Sequence, residues 1–144
     1  MREILFRGKG SDNRSWFYGW FCRYPFGSWP LKDAIIPSEE AENGYHRFVE
    51  VDGATVGQFT GLCDKNGKRI FEGDIVRCVS FGSERILIVV WDADEFDFKA
   101  TNGETQYGSN FTYLGNCEEI EIMGNIHDNL KLLGVIENDR MDFR

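Results

Sequence analysis

The sequence predicts an all-β protein, a small barrel or sandwich of about eight or nine short strands with SH3-like barrel character and one short C-terminal helix. Three observations predict it. Twelve Phe, five Tyr and four Trp in 144 residues make the chain aromatic-rich, and aromatic side chains suit pleated, half-buried strands. Sixteen glycines stand against three prolines, a balance that supplies tight turns without an extended proline-rich segment. Turn dipeptides recur at close intervals between short apolar runs. A folded unit of this length buries about two-thirds of its unfolded surface. One domain over residues 1–144 is therefore expected, with a flexible loop at 25–44 and a loose tail after residue 134.

Taken in order, Glu3 to Arg7 reads as a strand, followed by the turn-rich GKGSDNR and a second strand from Trp16 to Tyr24. Pro25, Pro30 and Pro37 break up the next stretch into loop, interrupted only by Ala34-Ile35-Ile36. Tyr45–Val51 and Ala54–Phe59 flank Asp52-Gly53, the dipeptide that favours a two-residue type I′ hairpin with φ > 0 at Gly53. Asn66-Gly67 predicts a second hairpin between Leu62 and Ile70-Phe71. A third joins Asp74–Phe81 to Arg85–Trp91 through Gly82-Ser83, with Ile75, Val79, Leu87 and Val89 or their neighbours facing the core. Acidic and aromatic residues alternate from Asp92 to Lys99, as in a strand with one solvated face, until Gly103 and Gly108 break the pattern. A last strand, Glu118 to Met123, precedes a short helix over Asn125–Leu133, capped by Asp128 and ended by Gly134. The tight turn in Phe71-Glu72-Gly73-Asp74-Ile75-Val76, directly before a strand, is of the kind found in SH3-like barrels.

These segments carry a family resemblance. Ile4-Leu5-Phe6-Arg7-Gly8, Trp16-Phe17-Tyr18-Gly19 and Val56-Gly57-Gln58-Phe59-Thr60-Gly61-Leu62 are followed by Asp64-Lys65-Asn66-Gly67-Lys68 and Ile70-Phe71-Glu72-Gly73-Asp74-Ile75-Val76. Gly124-Asn125-Ile126, Asp128-Asn129 and Leu132-Leu133 complete the set. Together they resemble the YopX family of phage and prophage proteins over nearly the whole chain, except 25–44 and the tail. The resemblance implies a small, mostly β, phage-borne protein, and it implies no catalytic residue.

No constellation for chemistry assembles from the spacing. Cys22, Cys63, Cys78 and Cys117 contain no C-x-x-C pair of the kind zinc sites use, and four free thiols are expected. His46 and His127 stand in no triad or HExxH setting. The acidic groups Asp92, Asp94, Glu95, Asp97 and Glu118, Glu119, Glu121 read as solvated strand faces rather than a cation loop. Gly8-Lys9-Gly10-Ser11 lacks the spacing of a phosphate-binding loop and reads as a turn. No enzyme, cofactor or metal is therefore predicted. The charged N-terminus lacks the apolar run of a secretion signal. The longest apolar run, Ile86 to Trp91, falls far short of the ~20 residues that span a bilayer. A cytoplasmic location in a bacterial host, without membrane contact, is expected.

The net charge of −8 is uneven: residues 1–32 hold six Lys/Arg against two Asp/Glu, net +4, and residues 33–144 hold ten against twenty-two, net −12. An acidic total disfavours sequence-independent nucleic-acid binding, which comes from neutralising phosphates. The basic N-terminal arm interleaves cations with aromatic rings, and Arg7, Lys9, Arg14, Trp16, Trp20 and Trp29 form the candidate interaction surface. The expectation is a non-enzymatic phage or prophage accessory protein acting by contact, with copies of itself as a homo-oligomer or with a host or phage protein. The alternative is a nucleic-acid-binding small barrel whose arm stacks bases beside cations.

Overall fold

The computed structural model describes residues 3–39, 46–103, 110–129 and 131–132. Tyr45, Gly108, Leu133, Gly134 and the tail, to which parts of the sequence expectations refer, lie outside the described residues. The protein is all-β, with two antiparallel five-stranded sheets formed by ten strands among the described residues. It divides into two compact units, Met1–Phe59 and Thr60–Arg144.

In the first unit, β1 (Phe6–Gly10), β2 (Trp16–Tyr24), β3 (Lys32–Pro37) and the first part of β4 (Val49–Cys63) pair in sequence. β4 also pairs with β1, so the four strands close into a ring. Such closure leaves little room between backbones. Gly19, opposite Phe6 on one side and Pro37 on the other, is where a Cβ would run into the Ile36 carbonyl. Leu5, Ala34, Ile35, Val51 and Phe59 are buried in this unit.

Two expectations fail here. The stretch 25–44 is not one loop, because β3 runs through it with Ala34 and Ile35 fully buried. The short apolar run and its prolines suggest loop, but pairing on both sides, with β2 and β4, makes it a strand. Asp52-Gly53 is not a hairpin turn either, and Gly53 is not at positive φ. Its flanking runs pair with β1 instead of with each other: Arg7 faces Gly57 and Lys9 faces Asp52, so the residues between form a bulge in one continuous strand. Asp52 Oδ1 accepts the Ala54 N–H (3.0 Å), and the Thr55 hydroxyl donates to the Asp52 carbonyl (2.6 Å) and accepts the Lys9 N–H (2.9 Å). The turn chemistry of Asp-Gly is used to build this bulge.

In the second unit the end of β4 pairs with β5 (Arg69–Phe71), and β6 (Asp74–Ser80), β7 (Ser83–Asp92), β8 (Asp97–Thr101), β9 (Phe111–Tyr113) and β10 (Glu119–Asn125) form a sheet in the order β10-β6-β7-β8-β9. One face carries the core: Val76, Cys78, Leu87, Val89, Ala100 and Ile120, joined by Ile70 and Leu114. Ile75, Leu87 and Val89 are buried as expected, whereas Val79 is only half-buried. The hairpin at Asn66-Gly67 forms, but with only Gly67 at positive φ (+81°), so it is a type I turn closed by a left-handed glycine rather than type I′. A turn with both central residues left-handed does occur one residue earlier than expected, at Phe81 (φ +51°) and Gly82 (φ +75°). Residues 93–96 make a turn between β7 and β8 instead of continuing a strand, with Phe96 also left-handed. After β10, Ile126–Asp128 form a turn around the Asn125 side chain, which accepts the N–H groups of His127 and Asp128, both at 2.9 Å. α-Helix appears only at Lys131 and Leu132 among the described residues, later than the Asp128 cap implied.

The central signature is explained by backbone geometry. The buried Asp64 carboxylate accepts the N–H groups of Asn66 and Lys68 on Oδ1 (both 2.9 Å) and of Ile122 on Oδ2 (3.0 Å). Lys65 N–H adds a bond to the Ile120 carbonyl (2.9 Å), so the turn lies along β10. Burial pushes the Asp64 pKa up, but the three backbone donors outweigh it and hold the carboxyl below its ordinary value. Gly73 (φ +88°) donates to Val89 and accepts from Ile126, while Asp74 Oδ2 takes the Phe71 N–H (2.8 Å). Asp64→Asn should cost about 1–3 kcal/mol, because an amide can satisfy only one side and leaves a buried donor unpaired. Because the folded pKa of Asp64 is depressed, its contribution is present above the unfolded carboxylate pKa and lost as pH falls through the folded value. Urea melts of both proteins from neutral to acid pH should therefore converge. Gly67→Ala should cost about 1–2 kcal/mol from the left-handed backbone alone.

Candidate functional site

The six residues expected to form one interaction surface separate in the structure. Arg7 is buried, with its guanidinium 4.6 Å from the centre of the Trp16 ring, and Lys9 Nζ lies 5.7 Å from the same ring. These three make a cation–ring cluster in which only Arg7 is fully buried. Arg14 is exposed but reaches Asp52 (3.2 Å). Trp20 and Trp29 remain at the surface, 47% and 78% exposed.

The other cations of the arm meet acids from neighbouring strands: Arg23 pairs with Asp33 (3.3 Å) and Lys32 with Glu50 (3.7 Å). The +4 of residues 1–32 is thus matched locally by β3 and β4. Counted over the structural unit, residues 1–59 carry seven Lys/Arg and eight Asp/Glu, net −1. Residues 60–144 carry nine Lys/Arg and sixteen Asp/Glu, net −7, so neither unit is basic.

Exposed aromatic groups on both faces of β2 are what remain. Tyr18, Trp20 and Phe21 are exposed although they lie in a strand. On the face of Trp20 and Tyr24, residues 46–48 provide partial cover: His46 meets the Trp20 ring edge-on at 5.8 Å, and Phe48 stacks on Tyr24 at 4.0 Å. Phe26 packs edge-on against Tyr24 (5.0 Å), and Leu31, Phe48 and Ile4 add further exposed apolar groups in this unit.

In the second unit the acidic groups do not behave as one solvated face. Asp92 is buried at the end of β7 and holds Lys99 Nζ at 2.5 Å, and Lys99 is fully buried. Lys99 also reaches Glu95 (3.3 Å) and lies 4.4 Å and 5.2 Å from the Phe111 and Tyr113 ring centres, while the Tyr113 hydroxyl donates to Glu95 (2.6 Å). Burial alone would lower the Lys99 pKa, but its bonds to Asp92 and Glu95 raise it overall. The Lys99 bond holds Asp92 below its ordinary value against burial, and the bonds from Tyr113 and then Lys99 do the same for Glu95. No sequence period signals this cluster, because a four-residue turn brings Asp92 and Lys99 together. On β10, Glu119 and Glu121 pair with Arg77 (2.5 and 3.6 Å), Lys65 joins Glu121 (2.6 Å), and Glu118 accepts the Phe81 N–H.

Among the described residues no three His, Cys, Asp or Glu side chains converge as a metal site, and no helix is long and apolar enough to cross a membrane. His127 packs beside Gly73. A shallow groove of about 490 Å³, lined by Thr60, Leu62, Phe98, Tyr113 and Leu114, contains Asp97 as its charged residue. All four cysteines are free thiols, as expected.

Replacing Lys99 by Met should destabilise the fold, since it leaves Asp92 buried without its cation. The sign with pH follows from the depressed carboxylates: their stabilisation is present above the unfolded pKa and lost as pH falls. The gap in denaturation midpoint between wild type and Lys99→Met should therefore be widest near neutral pH and narrow toward pH ~4.

No curated protein matches. A crystal structure of protein EF1440 from Enterococcus faecalis is similar at 20% identity, with 92% of this chain and 99% of that chain covered and a TM-score of 0.48. The family model described as YopX protein matches residues 5–134, the span that holds both sheets and every segment of the signature, and the chain belongs to the YopX protein family.

Proposed function

We propose that the protein is a non-enzymatic phage or prophage accessory protein of the bacterial cytoplasm that acts by contact, in the first instance with a second copy of itself. The observation that carries this reading is the exposure of Tyr18 and Trp20 on one face of β2, with Phe21 exposed on the other face and Trp29 beyond the strand. Large exposed aromatic groups in one region mark interaction surfaces on soluble proteins, and Trp and Tyr dominate the energetics of such contacts. A host or phage protein presenting a complementary apolar surface is the alternative occupant.

Nucleic-acid binding is the weaker reading. It needs cations free to meet phosphates, and Arg14, Arg23 and Lys32 are paired with Asp52, Asp33 and Glu50. Arg47 lies over the Phe17 ring at 5.5 Å.

Light scattering after size exclusion tests the proposal. The wild type should elute as an oligomer that survives 1 M salt, where screening shortens to ~3 Å and a charge-held contact would weaken. Trp20→Ser with Phe21→Ser should give a monomer with an unchanged circular dichroism spectrum. A wild-type monomer at every concentration would end the self-association reading. Salt-sensitive binding of labelled single-stranded DNA would replace it with the nucleic-acid one.

A further inference from the structure

We infer that Lys99 and Asp92 slowly form an intramolecular isopeptide bond in the folded protein, with Glu95 as the proton-transfer group, so that the end of the β7–β8 hairpin is a self-modifying site. These residues lie in the second unit, and the bond needs no second copy of the chain.

The pairing of β7 with β8 puts the reacting groups on one side of the sheet. Val90 lies opposite Lys99 and Asp92 opposite Asp97, so Asp92 and Lys99 are diagonal neighbours on the same face. Tyr113 lies opposite Lys99, and Phe111 opposite Thr101, so β9 adds two rings to that face. Lys99 is fully buried and Asp92 nearly so. The Lys99 Nζ meets Asp92 Oδ2 at 2.5 Å and Glu95 Oε1 at 3.3 Å, with the Phe111 and Tyr113 ring centres at 4.4 and 5.2 Å. An amine and a carboxyl are thus held in contact away from bulk water, and such proximity replaces a bimolecular encounter with a unimolecular step.

The two oxygens of Asp92 have different partners. Oδ1 accepts the N–H groups of Asp94 (2.9 Å) and Glu95 (3.4 Å), two backbone donors placed where negative charge builds on a carbonyl under attack. Oδ2 faces the nitrogen. Glu95 reaches that nitrogen with one oxygen, while its other oxygen accepts the Tyr113 hydroxyl (2.6 Å), which fixes the carboxylate in place. An ion pair alone needs neither the donor pair on Oδ1 nor a second carboxylate tied down beside the nitrogen.

Burial pulls the Lys99 pKa down but its bonds to Asp92 and Glu95 raise it overall, and the Lys99 bond holds Asp92 low, so the resting state is the charged pair. Reaction is slow for that reason, and the freshly folded protein carries the ion pair. It starts when a proton passes from Nζ to Oδ2, a transfer within the pair that leaves the net charge unchanged. The neutral amine attacks Cγ, and the carbonyl electron pair moves onto Oδ1 between its two backbone donors. Glu95 takes a proton from the nitrogen and delivers it to Oδ2. The Cγ–Oδ2 bond breaks, Oδ2 leaves as water, and the pair on Oδ1 re-forms the carbonyl. One amide and one water are produced, and nothing is oxidised or reduced. The amide also removes two buried charges, each of which is costly away from water.

The test is intact mass measurement of the full-length protein, fresh and after a week of incubation near neutral pH, followed by tryptic mapping. The incubated protein should lose the mass of one water, trypsin should stop cutting after Lys99, and fragmentation should place the new bond between Lys99 and Asp92. Protein incubated in guanidinium chloride should keep its mass, since the groups meet only in the fold. Glu95→Gln, with an unchanged circular dichroism spectrum, should slow the loss about tenfold or more. An unchanged wild-type mass, or a water lost elsewhere, as by succinimide formation at Asp52-Gly53, would overturn the bond. Loss from Glu95→Gln at the wild-type rate would overturn the role of Glu95. The wild-type map decides the bond even if Glu95→Gln does not fold.

Discussion

The second unit is organised around a carboxylate with three backbone donors. Asp64 satisfies the turn that follows β4 and the outer side of β10 with the same two oxygens. Without it, two N–H groups of the turn and one of a strand 58 residues away would lose their acceptor. A buried unsatisfied donor costs more than a typical hydrogen bond contributes, so this one side chain decides where the turn can lie. The turn in turn covers the β10 backbone through Lys65 and Ile120. The Gly73 and Asp74 turn and the Asn125 turn extend the same logic, since Ile126 bonds to Gly73. Asp64, Asp74 and Asn125 are thereby accounted for as backbone partners.

The same physics explains which parts of the fold were legible in the sequence. Period-two patterning and turn dipeptides locate β2, β6, β7 and β10 to within a residue or two because those strands pair with near neighbours or present a strong alternation. β3 was not legible, because a six-residue strand bordered by Pro30 and Pro37 has too little pattern of its own, and only pairing with β2 and β4 makes it one. Asp52-Gly53 misled for the opposite reason. It is a strong local signal overridden by a distant partner, β1, which offers hydrogen bonds to both flanking runs.

The candidate surface was half legible. Interleaved cations and rings identify the N-terminal arm, but sequence cannot say which of them face each other. Arg7 and Trp16 do, and Arg14, Arg23 and Lys32 find acids that are distant in the chain. Pairing thus removes the basic character and leaves the aromatic one. Lys99 shows the same limit: buried charge is visible only when the turn between β7 and β8 sets Asp92 beside it.

The ring formed by β1 to β4 has a further consequence for recognition. An open sheet can greet a visitor with its own main chain, a generic handshake that any extended peptide can return. Where β4 closes onto β1, that language is taken up over the paired residues, and what meets those residues reads side chains. Side chains can be replaced one at a time while the frame stays fixed, as the backbone hydrogen bonds do not depend on what Tyr18, Trp20 or Phe21 display. Specificity in this protein is therefore free to drift without endangering the architecture that presents it.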